Sequence, residues 1–100
     1  MNNPQKYIVY AVKNDWDNKV YFGSGLPNRL AFHESRLLNL KHPCHEMQQD
    51  FIKHPDYFSF EIIKETTKDQ CRQEEQLMIM QVKTFSKKWK LYNRKNAFKF

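Results

Sequence analysis

The sequence predicts an α/β (α+β) fold: a three-stranded antiparallel sheet flanked by helices, in the order ββααβα, with a short C-terminal segment. Three observations predict it. Two β-branched and aromatic runs, residues 7–12 and 20–23, are separated by a stretch of turn residues. A third run, residues 57–63, alternates Phe58, Phe60 and Ile62 on one side. The remaining apolar residues recur at helical spacing, Met47 with Phe51 and Cys71 with Met78, Ile79 and Val82. One hundred residues, 40% of them hydrophobic, suffice for a single domain spanning 1–100 and its one core.

Each element has its own justification. Tyr7-Ile8-Val9-Tyr10-Ala11-Val12 reads as a strand, and Asn14-Asp15-Trp16-Asp17-Asn18 supplies the turn that returns it as Val20-Tyr21-Phe22-Gly23. Gly23 and Gly25, the only glycines of the chain, fall after that strand, where a loop must bend tightly. Pro27 suits the first turn of a helix running to about Leu40. Its apolar arc holds Leu30, Ala31, Leu37 and Leu40, with His33 inside and Arg29 at the edge. Pro43 opens a second helix. Thr67-x-x-Gln70 fits a capping box before a third helix, from about Lys68 to Lys83, with Glu75 in the middle of its apolar arc.

Composition excludes several classes. Fifteen aromatics and charges of mixed sign argue against a disordered chain, and no apolar run approaches the roughly 18 residues of a membrane span. The first residues lack the apolar core of a secretion signal, so a cytoplasmic location is expected. Cys44 and Cys71 cannot build a disulfide framework and read as reduced thiols. The net charge of +6 is gathered at one end: Lys83, Lys87, Lys88, Lys90, Arg94, Lys95 and Lys99 follow one another with no acid among them. Phe85, Trp89, Tyr92, Phe98 and Phe100 are interleaved. Phosphate neutralisation plus base stacking wants this mixture, although a solvated face with docked aromatics produces it too.

Several side chains stand out chemically. A carboxylate central to an apolar stripe, as at Glu75, must be paired, protonated or bound to a metal; Arg29 or a backbone N–H would be a structural partner. Arg29 and His33, four apart, share a helix face and suit a phosphate and a proton transfer respectively. Tyr10 and Tyr21 flank the turn and share a sheet face if Lys13 pairs with Asn18 across a four-residue loop. They would then lie opposite each other, an arrangement that also suits a packing pair. His42-Pro43-Cys44-His45 is too tightly spaced for a standard zinc site, and Cys44 beside His45 is a nonspecific nucleophile signal. A phosphate loop of the P-loop type and a serine nucleophile elbow are both absent from the sequence.

Taken in order, these residues resemble the GIY-YIG nuclease family over about residues 7–93. Ile8-Val9-Tyr10 stands for the first signature, with Ile8 where the family usually has glycine. Tyr21-Phe22-Gly23 is the second, followed by Ser24, then Arg29 and His33. His42 to Phe51, with Gln48, is similar to the second-helix segment, Glu75-Gln76-x-x-Ile79 to the acidic helix motif, and Leu91-Tyr92-Asn93 to the closing motif. The segment from Tyr21 to Arg29 is about two residues shorter than is usual in the family.

The resemblance implies a metal-dependent endonuclease using one Mg²⁺ (or Mn²⁺) held by Glu75. Tyr10 or Tyr21 would deprotonate or orient the attacking water, Arg29 would stabilise the charge growing on phosphorus, and His33 would orient a tyrosine or the water. Asn93 would tie the last segment to the site, and His42 would be an accessory. Lys83, Lys87, Lys88, Lys90, Arg94 and Lys95 would bind nucleic acid, with DNA favoured over RNA. A catalytically inactive nucleic-acid-binding module is the alternative, and an inhibitor that meets an acidic protein is a third reading. The oligomeric state, monomer or homodimer, stays open.

Overall fold

A computed structural model describes residues 6–93. β1 (Tyr7–Asn14) and β2 (Lys19–Gly25) form an antiparallel hairpin, and α1 (Asn28–Leu38) and α2 (His45–Lys53) follow. A 3₁₀ turn at Pro55–Tyr57 leads into β3 (Phe58–Thr66), then α3 (Cys71–Phe85) and β4 (Lys90–Leu91). The sheet order is β3-β1-β2-β4. β3 pairs antiparallel with β1, as expected, but the sheet is mixed and has four strands, because β4 lies parallel to β2. Lys90 N–H donates to the Asn18 carbonyl and Tyr92 N–H to that of Val20, which draws the C-terminal segment onto the free edge of β2.

The hairpin keeps its four-residue turn, displaced by one position. Asn14 pairs with Lys19, not Lys13 with Asn18. The Asn14 side chain is the cause: its Oδ1 accepts from Trp16 N–H at 3.0 Å and Asp17 N–H at 3.4 Å, fixing the turn at Asp15–Asn18. Asn18 closes it in the left-handed region, at φ 56°, which asparagine tolerates better than most residues. Tyr10 therefore faces Gly23, and Tyr21 faces Val12. The tyrosines are diagonal neighbours rather than an opposed pair, but the offset is even and both stay on one face.

That face and its reverse carry separate cores. Ala11, Val20 and Phe22 pack against Ile79 of α3, with Ile63, Met78, Val82, Trp89 and Leu91 around them. Val12 packs on the other side with Leu37 of α1, Met47 of α2 and Tyr92, joined by Leu30, Phe51, Phe58 and Phe60. Each buried side chain of this size is worth about 1.5–3 kcal/mol. Ile63 is an extra residue in β3, since Val9 pairs with Lys64 and Tyr10 with Ile62. The bulge places Ile63 against α3 and leaves Ile62 exposed.

The helices differ at their ends. Leu40 lies beyond α1 at φ 61° and is 66% exposed, so it leaves the expected apolar arc, as does exposed Ala31. α2 begins two residues after Pro43. No capping box forms at Thr67: its carbonyl accepts from Gln70 and Cys71 N–H in a turn, and α3 starts at Cys71 without a side-chain cap. The apolar face of α3 follows expectation, with Cys71 and Ile79 buried and Glu75 half-buried between them.

Candidate active site

Both glycines lie against candidate side chains. Gly23 lies inside β2 and not after it, under the Tyr10 ring; a Cβ there would overlap Tyr10 Cζ and Oη. Gly25 has φ +146°, which L side chains rarely adopt, and a Cβ would come 3.1 Å from Arg29 Cγ. The stem of Arg29 thus lies along Gly25 and its head is exposed. The two glycines seat Tyr10 and Arg29, which is a space requirement more than a bending one.

His33 is the hub of the face between β1, β2 and α1. Its Nε2 is 2.8 Å from Tyr10 Oη and its Nδ1 2.7 Å from His42 Nε2. Its ring centroid lies 5.3 Å from that of Tyr10, 5.0 Å from Tyr21 and 5.0 Å from His42. Burial pulls the His33 imidazole down to about 4, with His42, Arg36 and Arg29 pushing the same way. Burial, then Arg36, lowers His42 as well. Burial raises Tyr10 well above an ordinary phenol; Tyr21 and Glu75 add to this and Arg29 opposes it. Tyr21 is raised by burial and then by Glu75 and Cys44, again with Arg29 opposing. Arg29 is thus the cation that favours either phenolate, but burial outweighs it in the protein alone.

Glu75 reaches the same region from α3. Ser24 Oγ donates to its Oε1 at 2.6 Å. Burial raises the carboxyl, against the Ser24 hydrogen bond and the Arg72 charge. The hydrogen bond of Glu75 is to Ser24 and not to Arg29. Among the described residues no three His, Cys, Asp or Glu side chains cluster to hold a metal, His42-Cys44-His45 included. Asn93 spends its amide on one backbone unit: Oδ1 accepts from Phe22 N–H at 2.9 Å and Nδ2 donates to Phe22 O at 2.8 Å. It extends the edge pairing of β4 and anchors the chain beside the site.

Two residues matter here beyond those singled out for chemistry. Ser24 orients Glu75, and its only sequence signal was its place after Gly23. Gln48 is buried; it accepts from His42 N–H at 2.9 Å and donates to Leu37 O at 3.0 Å, so it fixes where His42 stands. A glutamine beside Met47 on a buried helix face was the available signal.

The basic segment lies elsewhere. Lys83, Lys87, Lys88 and Lys90 are exposed, with Lys88 over the Trp89 ring at 5.4 Å. Lys90 pairs beside Lys19, whereas Glu75 meets Ser24, five residues along β2 and about 17 Å away at strand rise. Trp89 packs on the core, while Phe85 is 79% exposed. Arg94 and Lys95 lie outside the described residues. No helix among the described residues is long and apolar enough to cross a membrane.

Two solved structures share this arrangement of elements. The catalytic domain of the homing endonuclease I-TevI is similar at a TM-score of 0.69 and 26% identity, over 88% of this chain and 99% of that one. A mutant form of the catalytic domain of intron endonuclease I-TevI is similar at 0.68 and 27%, over 86% and 93%. No protein-family model and no curated relative matches the chain.

Proposed function

The chain belongs to the GIY-YIG nuclease family, and from that premise we propose that it is a metal-dependent endonuclease hydrolysing phosphodiester bonds in nucleic acid, DNA before RNA. One observation carries the reading. Tyr10, Tyr21, Arg29, His33 and Glu75, from four different elements, converge so closely that Tyr10 bonds His33 and feels the charges of Tyr21, Glu75 and Arg29. A packed core has no need of such a group, and phosphodiester hydrolysis uses every member of it.

The roles follow from chemistry. Arg29, exposed and stiffened along Gly25, meets a non-bridging phosphate oxygen and stabilises the charge that grows there. Tyr10 holds the attacking water, with His33 fixing its phenol; Tyr21 closes the other side. Among the described residues Glu75 is the carboxylate that reaches the site, and its Ser24 bond fixes its orientation. A single carboxylate with no histidine or thiol beside it fits Mg²⁺ or Mn²⁺, which keep several waters and take phosphate oxygens for the rest. Bound there, the ion would supply charge neutralisation at the scissile phosphate. Asn93 keeps β2 and the C-terminal segment in register. Lys83, Lys87, Lys88 and Lys90 would contact phosphates away from the scissile one, with exposed Phe85 among them.

Cleavage assays on duplex DNA, single-stranded DNA and RNA, each with Mg²⁺ and with EDTA, test the reading. The expected result is Mg²⁺-dependent cleavage, fastest on DNA and abolished by EDTA. A folded protein that cuts none of the three overturns it.

A further inference from the structure

We infer that His42 is a positioning residue that locks His33 in its Nε2–H tautomer, so that His33 donates to Tyr10 and the hydroxyl proton of Tyr10 is presented to the open side of the site. The inference deepens the nuclease reading and takes its catalytic meaning from it, but its geometry stands without it.

The direction of the chain is fixed at its far end. Cys44 N–H donates to His42 Nδ1 at 3.0 Å. A backbone amide cannot accept, so His42 Nδ1 carries no proton, and the neutral imidazole must hold its proton on Nε2. His42 Nε2–H then donates to His33 Nδ1, 2.7 Å away. A ring nitrogen that accepts is unprotonated, so the His33 proton is on Nε2, and that nitrogen donates to Tyr10 Oη at 2.8 Å. Three hydrogen bonds thus run one way, starting from a group that never titrates. The lowered basicity of both imidazoles keeps them neutral and agrees with this order.

His42 is held for the purpose. It is 8% exposed, and its backbone N–H is bonded to Gln48, which is bonded in turn to Leu37. The nearby imidazole His45 is exposed and takes no part. The consequence for Tyr10 is specific. His33 cannot take the Tyr10 proton, because the nitrogen facing Tyr10 already bears one. It can only stabilise negative charge on Tyr10 Oη, as an oriented donor. Among the described residues no acceptor takes the Tyr10 O–H, which leaves it for the attacking water or a phosphate oxygen. Partners that fix the tautomer of a metal-bound histidine are worth about 10–100-fold, and the same scale is expected for His42.

The test is the ring-nitrogen spectrum of ¹⁵N-histidine-labelled protein at neutral pH, without metal or nucleic acid. Long-range proton–nitrogen correlations separate the two neutral tautomers. His33 and His42 should both appear as Nε2–H. A His33 that carries its proton on Nδ1, or averages the two forms, overturns the inference. In His42→Ala, His33 should shift to a mixture of tautomers, and kcat should fall about tenfold or more with KM unchanged. In His42→Gln, the side-chain amide can still donate to His33 Nδ1, so the Nε2–H form and most of kcat should return. A His33 tautomer that ignores both substitutions also overturns it. Should the alanine variant fail to fold, the wild-type and glutamine spectra decide alone. Correct tautomers in a protein that cuts nothing would count against the nuclease reading only.

Discussion

Tyr92 and Tyr10 lie on the same face of the sheet, both buried, and burial raises both phenols. Tyr92 reaches β1 at Asn14, its hairpin end; Tyr10 projects from β1 four residues earlier. At the hairpin end Asn14, Tyr92, Asp50, Lys19 and Glu46 are bonded to one another. Tyr92 O–H donates to Asp50 Oδ2 at 2.7 Å and accepts from Asn14 Nδ2 at 2.9 Å. Lys19 Nζ pairs with Asp50 at 3.1 Å and Glu46 at 2.8 Å, so the charges close on themselves. At the other end Tyr10 accepts from an imidazole, Arg29 is exposed, and Glu75 bonds only a hydroxyl among the interactions described. One network spends its polar groups on the fold. The other holds them oriented for something that is not part of the fold.

Substitutions should therefore separate stability from activity. The largest effect is expected at Glu75 and Arg29. Glu75→Gln keeps the volume and removes the charge Mg²⁺ requires, so cleavage should fall below detection. Without metal its melting temperature should hold or rise, because a half-buried carboxylate is lost. Had Glu75 been a structural ion-pair partner, the same substitution would lower it. Arg29→Ala should cost about 10²–10³ in rate, the scale of one lost charge stabiliser, with melting unchanged. Near-normal cleavage by either folded variant breaks the comparison at its active end.

Gly23→Ala tests whether placement of Tyr10 is what the open end needs. The new methyl would occupy the space of the phenol, so the ring must leave His33. Overpacking of this kind costs about 1–3 kcal/mol, and cleavage should fall with it. Retained activity together with an unchanged His33 ring spectrum would show that the glycine is not a seat.

Asp50→Ala is the converse experiment. It removes the acceptor of Tyr92 and one partner of Lys19, leaving a buried donor unsatisfied, at about 1–3 kcal/mol. In a domain this small each kcal/mol lowers the melting temperature by about 4–8 °C. Cleavage per folded molecule should not change. A specific loss of turnover would mean that the hairpin-end network reaches the active end.

What the sequence made legible follows from range. The strand from Tyr7 and the buried face of α3 are local patterns, and they read correctly; the third strand reads correctly from Phe58, with Tyr57 in the turn before it. An even loop length puts Tyr10 and Tyr21 on one face whichever of the two registers forms, and Asn14 selects the observed one by accepting the turn's N–H groups. β4 was illegible: two residues in parallel pairing carry no pattern of their own, and their partner strand is some seventy residues earlier. The site residues announced themselves by type, as a glutamate within an apolar stripe and a histidine four after an arginine. Their connections did not. That His42 accepts from Cys44 N–H depends on a loop conformation, and that Gly23 lies beneath Tyr10 depends on a register.

The dependence of stability on pH should belong to one end as well. An unfolded histidine titrates near 6.5, whereas folded His33 stays neutral down to about 4. Between those values the unfolded chain binds a proton that the folded chain refuses. Stability should therefore fall as pH drops from about 6.5 towards 4, and the loss from this group should level off below 4, where both states are protonated. His42, also lowered, adds to the same slope. The hairpin-end network of Asn14, Tyr92, Asp50, Lys19 and Glu46 has no imidazole. Melting curves of wild type and His33→Gln between pH 7.5 and 4 isolate the term: the two should converge as pH falls, because only the wild type carries the buried imidazole. Curves that stay parallel would mean that His33 titrates alike in the folded and unfolded chain, so that burial does not hold the imidazole neutral.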